Sequence, residues 1–120
     1  MADRFEDHRG VIQDLLGPVD AVTEIRSVQG AVRGNHVHYQ TTQWTYIVSG
    51  RLRIVTRDPA GIEADLVYEP GQVACELPGV AHAWEALEDT VCLVFTRGPR
   101  SGEDYESDTY RLEGANRLLA

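Results

Sequence analysis

The stretch GAVRGNHVHYQTTQWTYIVSG, residues 30–50, decides how this chain is read. His36 and His38 stand two residues apart, and in a strand that spacing puts both imidazoles on one face. Gln43 follows at what reads as the start of the next strand, and His82 lies far downstream in LPGVAHAW. Three histidines and a carboxamide drawn from three strands can converge on one point inside a small barrel. Such a group is either the donor set of a first-row transition-metal site or an acid/base pocket. Arg33 lies on the histidine strand, where strict alternation sets it opposite His36. A bulge at Gly34 re-aims Arg33 to the histidine side, a common use of glycine beside a site.

Outward from this stretch, 120 residues with 42% hydrophobic content make one domain with a core and exclude disorder. No apolar run is long enough to span a membrane, and the N-terminus MADRFEDHRG lacks the apolar centre of a signal peptide. Eleven basic and 19 acidic residues leave a net charge of −8, which disfavours nucleic acid and anionic membranes as partners. A local arginine can still hold a phosphate. Cys75 and Cys92 sit in strand-like apolar segments and are expected as two buried, reduced thiols of a cytoplasmic protein.

Along the chain, Arg9-Gly10 reads as a turn into a short strand over residues 11–15, with His8 an exposed turn residue. Strands are expected over 19–28, 31–39, 43–48, 51–57, 62–68, 73–77, 82–86 and 90–96. Residues 43–48 and 51–57 form the clearest hairpin, joined at Ser49-Gly50. With Gln43 facing inward, Thr45 and Ile47 do too, and Trp44, Tyr46 and Val48 face outward and need cover, from a sheet margin or a second subunit. Turn signals every 8 to 12 residues between short strands are the pattern of a β-sandwich or barrel. The barrel core is placed at about residues 19–97. Residues 98–120 are a polar C-terminal arm lying solvated along it, ending in one helical turn or a frayed tail at 115–119.

These residues carry a resemblance to the cupin superfamily. Its first motif, G-x5-H-x-H-x3-4-E-x6-G, is matched by Gly30, His36, His38, Gln43 and Gly50, with Gln in place of Glu. Its second is matched more loosely by Gly71, Pro78, Gly79 and His82. The resemblance implies an all-β fold, a double-stranded β-helix or jelly-roll barrel, as one domain over 1–120. It also implies a divalent transition metal (Zn, Fe, Mn or Ni) on His36, His38, His82 and Gln43. The opening F-x-D-x-R-G, the phrase Arg33-Gly34-Asn35-His36-Val37-His38 and the tail around Asp104, Tyr105, Asp108 and Tyr110 resemble the deoxysugar-nucleotide ketoisomerase and 3,5-epimerase branch. That branch implies an isomerase in which His36 and His38 move protons beside a sugar ketone and Arg33 binds charge. It also implies a small-molecule substrate such as a sugar nucleotide, and the outward apolar row points to a homodimer through the Trp44/Tyr46 face or the N-terminal strand. A metal-dependent oxygenase or isomerase of another small molecule, and a non-catalytic sugar- or acid-binding module, are the competing readings.

Overall fold

Period-two burial runs along the strand Thr42–Ser49 (β5), where Gln43, Thr45 and Ile47 are buried and Val48 is exposed. Trp44 and Tyr46 are half-covered, and the Arg97 guanidinium lies over the Trp44 ring at 5.1 Å. The computed structural model describes residues 4–99 and 107–120. The remaining strands are β1 (Arg4–Asp7), β2 (Gly10–Gln13), β3 (Ala21–Ser27), β4 (Val32–Val37), β6 (Leu52–Arg57), β7 (Glu63–Tyr68), β8 (Val73–Glu76), β9 (Ala81–Ala86), β10 (Thr90–Arg97) and β11 (Tyr110–Arg111). Every pairing among the described residues is antiparallel. One sheet runs β3-β10-β5-β8 and the facing one β11-β4-β9-β6-β7, with β1-β2 a separate hairpin. This is the all-β jelly roll that the turn spacing and the motifs implied.

The core lies between the two sheets. Ile47, Ala74, Cys92 and Val94 from one meet Leu52, Ile54 and Trp84 from the other. On β6, Leu52 and Ile54 face the core and Arg53 turns outward to Asp65 (2.8 Å) and Glu85 (3.1 Å).

Several expectations change. The strands over 43–48 and 51–57 are present but do not form a hairpin, because β5 and β6 belong to opposite sheets. The Ser49-Gly50 turn carries the chain across the barrel end. Gly50 has φ +91°, and a Cβ there would lie 2.6 Å from the Thr90 Cα, so the crossing requires glycine. The strand expected at 11–15 is the second half of a hairpin, with Phe5 paired to Ile12. Cys75 is exposed and only Cys92 is buried, because Cys75 falls on the outward phase of β8. The C-terminal arm docks as well as trails. Its strand β11 extends the five-stranded sheet beside β4, and Asp108 is buried. The helical turn is a 3-10 turn at Gly114–Asn116, overlapping the start of the expected span. Asp104, Tyr105 and Glu106 of the tail phrase lie outside the described residues.

Candidate functional site

The histidine strand is built around the expected irregularity. The β4–β9 register shifts between Gly34 and His36, which leaves Asn35 as the extra residue of a bulge. Gly34 (φ +82°) and Asn35 (φ +55°) occupy the left-handed region, open to glycine and tolerated by asparagine. A Cβ on Gly34 would lie 3.0 Å from the His82 carbonyl oxygen. Glycine therefore lets β4 press against β9, and the shifted register sets His36 directly across from His82.

Three imidazoles meet there. His36 Nε2 and His82 Nε2 are 2.9 Å apart. Ring centroids are 4.6 Å apart for His36–His38 and for His36–His82, and 5.3 Å for His38–His82. One nitrogen from each of the three lies within 4.8 Å of the others. His38 and His82 are buried and His36 is half-buried. The short Nε2···Nε2 contact requires a shared proton, since one nitrogen must donate to the other.

The C-terminal arm braces this group. His38 Nδ1 lies 2.8 Å from the Asp108 carbonyl oxygen, so Nδ1 donates there and Nε2 is the basic nitrogen of the neutral ring. The Asp108 carboxylate accepts the backbone N–H groups of Tyr39 (3.0 Å) and Gln40 (2.8 Å). Burial pushes the Asp108 carboxyl up. The Gln40 and Tyr39 amides, the Thr41 hydroxyl and the charge of His38 outweigh that and hold it below the usual carboxylate value. Further along the arm, the Leu118 and Leu119 amides donate to Asn35 Oδ1 (2.8 and 3.1 Å), clamping the bulge residue itself.

A cavity of about 170 Å3 opens beside the imidazoles. Ile25 and Val94 form its apolar wall, while Arg33, His36, Gln43, His82 and Trp84 supply polar groups. Arg33 reaches it through the bulge, and its guanidinium is steadied by Ser27 Oγ (2.9 Å) and the Arg26 carbonyl (3.1 Å). Gln43 stands on the opposite sheet from the histidines, across the same cavity. All the candidate residues of the sequence thus gather around one space, His38 just behind its wall. His8 lies in the distant β1–β2 turn.

Two contributors do not stand out in the sequence. Asp108 reads there as part of a solvated tail. Glu76 pairs with Gln43 across β5 and β8, is 2% exposed, and neither of its carboxyl oxygens has a hydrogen-bond partner among the described residues. Burial pushes its pKa up to about 8. The signal is nonetheless legible: β8 alternates, Ala74 faces inward, and Glu76 is two residues on.

A histidine-lined pocket thus lies between the two sheets of a jelly roll. The cupin family profile matches residues 18–108, and the chain belongs to that family. No curated protein matches the chain. Among solved structures it is similar to the dTDP-4-dehydrorhamnose 3,5-epimerase of Sulfolobus tokodaii, with 19% identity, a TM-score of 0.76, and 97% of this chain and 76% of that one covered. It is similar to the QdtA 3,4-ketoisomerase of Thermoanaerobacterium thermosaccharolyticum, a double mutant in complex with TDP (22%, TM-score 0.71, 92% and 83%). It also matches a third of the Staphylococcus aureus capsular polysaccharide assembling protein CapF (22%, TM-score 0.71, 95% and 33%). At these identities the likeness shows the fold.

Proposed function

We propose that this cupin is an isomerase or epimerase of a nucleotide-linked keto-deoxysugar, working by histidine acid/base chemistry at a site that also takes a divalent transition metal. The observation that carries the reading is the meeting of His36, His38 and His82 beside a cavity walled by Arg33 and Gln43. With no ion bound, His36 at the cavity wall or His38 behind it, its Nε2 basic because Nδ1 donates to Asp108, takes the proton next to the ketone. The partner imidazole or a water returns a proton to the neighbouring carbon. Arg33, at the cavity wall, binds the negative charge that develops on the ketone oxygen or a phosphate of the nucleotide. The QdtA structure similar to this chain was solved with TDP, which supports a nucleotide-bearing substrate.

The donor set fits a metal. Three imidazole nitrogens converge, and His38 is oriented on its far side by a carbonyl, as metal-binding histidines usually are. For both Nε2 atoms of the His36–His82 pair, now 2.9 Å apart, to hold an ion, the pair would give up its shared proton. A bound ion supplies Lewis acidity toward a carbonyl oxygen. Gln43 offers a neutral oxygen where the family motif has a carboxylate.

The protein works in the cytoplasm, as a homodimer, in this reading. No helix among the described residues is long and apolar enough to cross a membrane. NMR in D2O with a 4-keto-6-deoxyglucose nucleotide tests the reaction. Deuterium is expected at C3 with wild type and roughly 10²–10⁴-fold more slowly with His38→Ala. No wash-in and no isomer over hours would discard the sugar. A metal enzyme of a smaller molecule then takes its place, a reading the cavity size favours. About 170 Å3 is below the roughly 300–1,000 Å3 of pockets that enclose drug-sized ligands.

A further inference from the structure

Buried carboxyls without hydrogen bonds are costly and uncommon, and Glu76 is one placed beside the histidine centre. On the inner face of its sheet, the register sets Thr96, Gln43 and Glu76 side by side on β10, β5 and β8. All three are buried. The facing sheet carries a matching row, His36, His82 and Thr56, on β4, β9 and β6. Gln43 and two of those imidazoles line the same cavity.

Cross-strand partners have Cβ atoms about 4.5–5.5 Å apart, within reach of a Gln amide and a Glu carboxyl. A carboxamide by itself has no preferred end, since its oxygen and its NH2 group are nearly the same size. A metal centre can use only the oxygen. Something must therefore hold the nitrogen end away from the imidazoles, and the one carboxyl paired with Gln43 in the sheet is Glu76.

We infer that Glu76 is a positioning residue for a divalent-cation site: its carboxyl accepts an N–H of the Gln43 carboxamide and so presents Gln43 Oε1 to the ion held by His36, His38 and His82. The inference rests on the metal reading above and goes beyond it. It assigns the buried carboxyl of this site to position 76, one strand over from where the family motif places it. Both carboxyl oxygens of Glu76 are without a hydrogen-bond partner among the described residues and can accept that N–H.

Zinc alone is the probe, titrated into metal-stripped full-length protein against a chromophoric chelator. Glu76→Leu removes the acceptor and fills the space with carbon, while Glu76→Gln keeps a carbonyl acceptor. Glu76→Leu is expected to bind zinc about 10–100-fold more weakly, with no fall in melting temperature. Glu76→Gln should stay within about twofold of wild type. Glu76→Met, an apolar side chain of similar length, must weaken binding as Glu76→Leu does, so that one poorly folding variant does not decide the matter. On a Gln43→Leu background, Glu76→Leu should cost nothing more. Wild-type zinc affinity in both apolar variants, or an undiminished loss on the Gln43→Leu background, overturns the assignment and leaves the metal reading standing. A wild-type protein that takes no zinc overturns both.

Discussion

A carboxyl buried as Glu76 is binds its proton more tightly in the folded chain than in the unfolded one. Its pKa rises from 4.5 to about 8, so its contribution to stability is complete below about 4.5 and is lost as pH climbs toward 8. That interval corresponds to at most about 5 kcal/mol. Glu76→Gln should flatten this part of the profile, and urea melts at pH 5 and pH 8 should show the variant gaining on wild type at the higher value. An equal pH dependence in both proteins would mean that the carboxyl is solvated. Gly34 gives a second test. It has φ +82°, and a Cβ added there would stand 3.0 Å from the His82 carbonyl oxygen. Gly34→Ala should therefore cost roughly 1–3 kcal/mol and widen the gap between His36 and His82. Thermal melts check the first effect and zinc affinity the second. At this scale much is legible in the sequence. The i, i+2 histidines and the inward phase of Gln43 follow from strand periodicity, and the bulge at Gly34 from a glycine standing where the period fails for Arg33. Glu76 obeys the same period, but a charged residue beside a turn reads as surface unless the alternation is counted through it.

Strands can be located in the sequence better than they can be paired. The expected spans lie within a few residues of the observed ones, since most are bounded by glycine or proline turns. The pairing of β5 with β6 fails because chain neighbours usually pair, whereas in this topology the chain crosses from one sheet to the other at Gly50. Docking of the C-terminal arm is equally hidden, because it depends on hydrogen bonds between residues about 70–84 positions apart. The arm is a structural part of the site, which leads to a prediction at this level. Asp108→Ala leaves the Tyr39 and Gln40 amides without their acceptor, at a cost of about 1–3 kcal/mol. It also loosens the carbonyl that orients His38. Melting temperature and zinc affinity should fall together, and Asp108→Asn, which keeps one acceptor oxygen, should fall between the two. Unchanged zinc binding in Asp108→Ala would show that His38 keeps its orientation without the clamp.

The whole molecule measures 51 × 29 × 29 Å, long for a barrel of this size. The N-terminal hairpin forms a sheet of its own, bonded to neither of the barrel sheets. A lone two-stranded hairpin is marginal in water unless its apolar face is covered. Here Phe5, Val11 and Ile12 are 56%, 47% and 69% exposed. Strand β3, at the edge of the four-stranded sheet, adds exposed Val22 (57%). Exchange of the hairpin between two chains would set this apolar face against the partner's β3 edge at Val22, and a closed pair buries the same patch on both partners. The chain is therefore expected to be a dimer at micromolar concentration, sedimenting at about twice its 13.3 kDa mass. Replacing Phe5 and Ile12 together by glutamate should give a folded monomer, with far-UV circular dichroism unchanged, because neither side chain belongs to the core. A wild-type protein found only near 13.3 kDa would refute the dimer. A double variant that stays dimeric would move the interface to the half-covered outward row of Trp44 and Tyr46, whose remaining surface would then be the part that a second subunit closes.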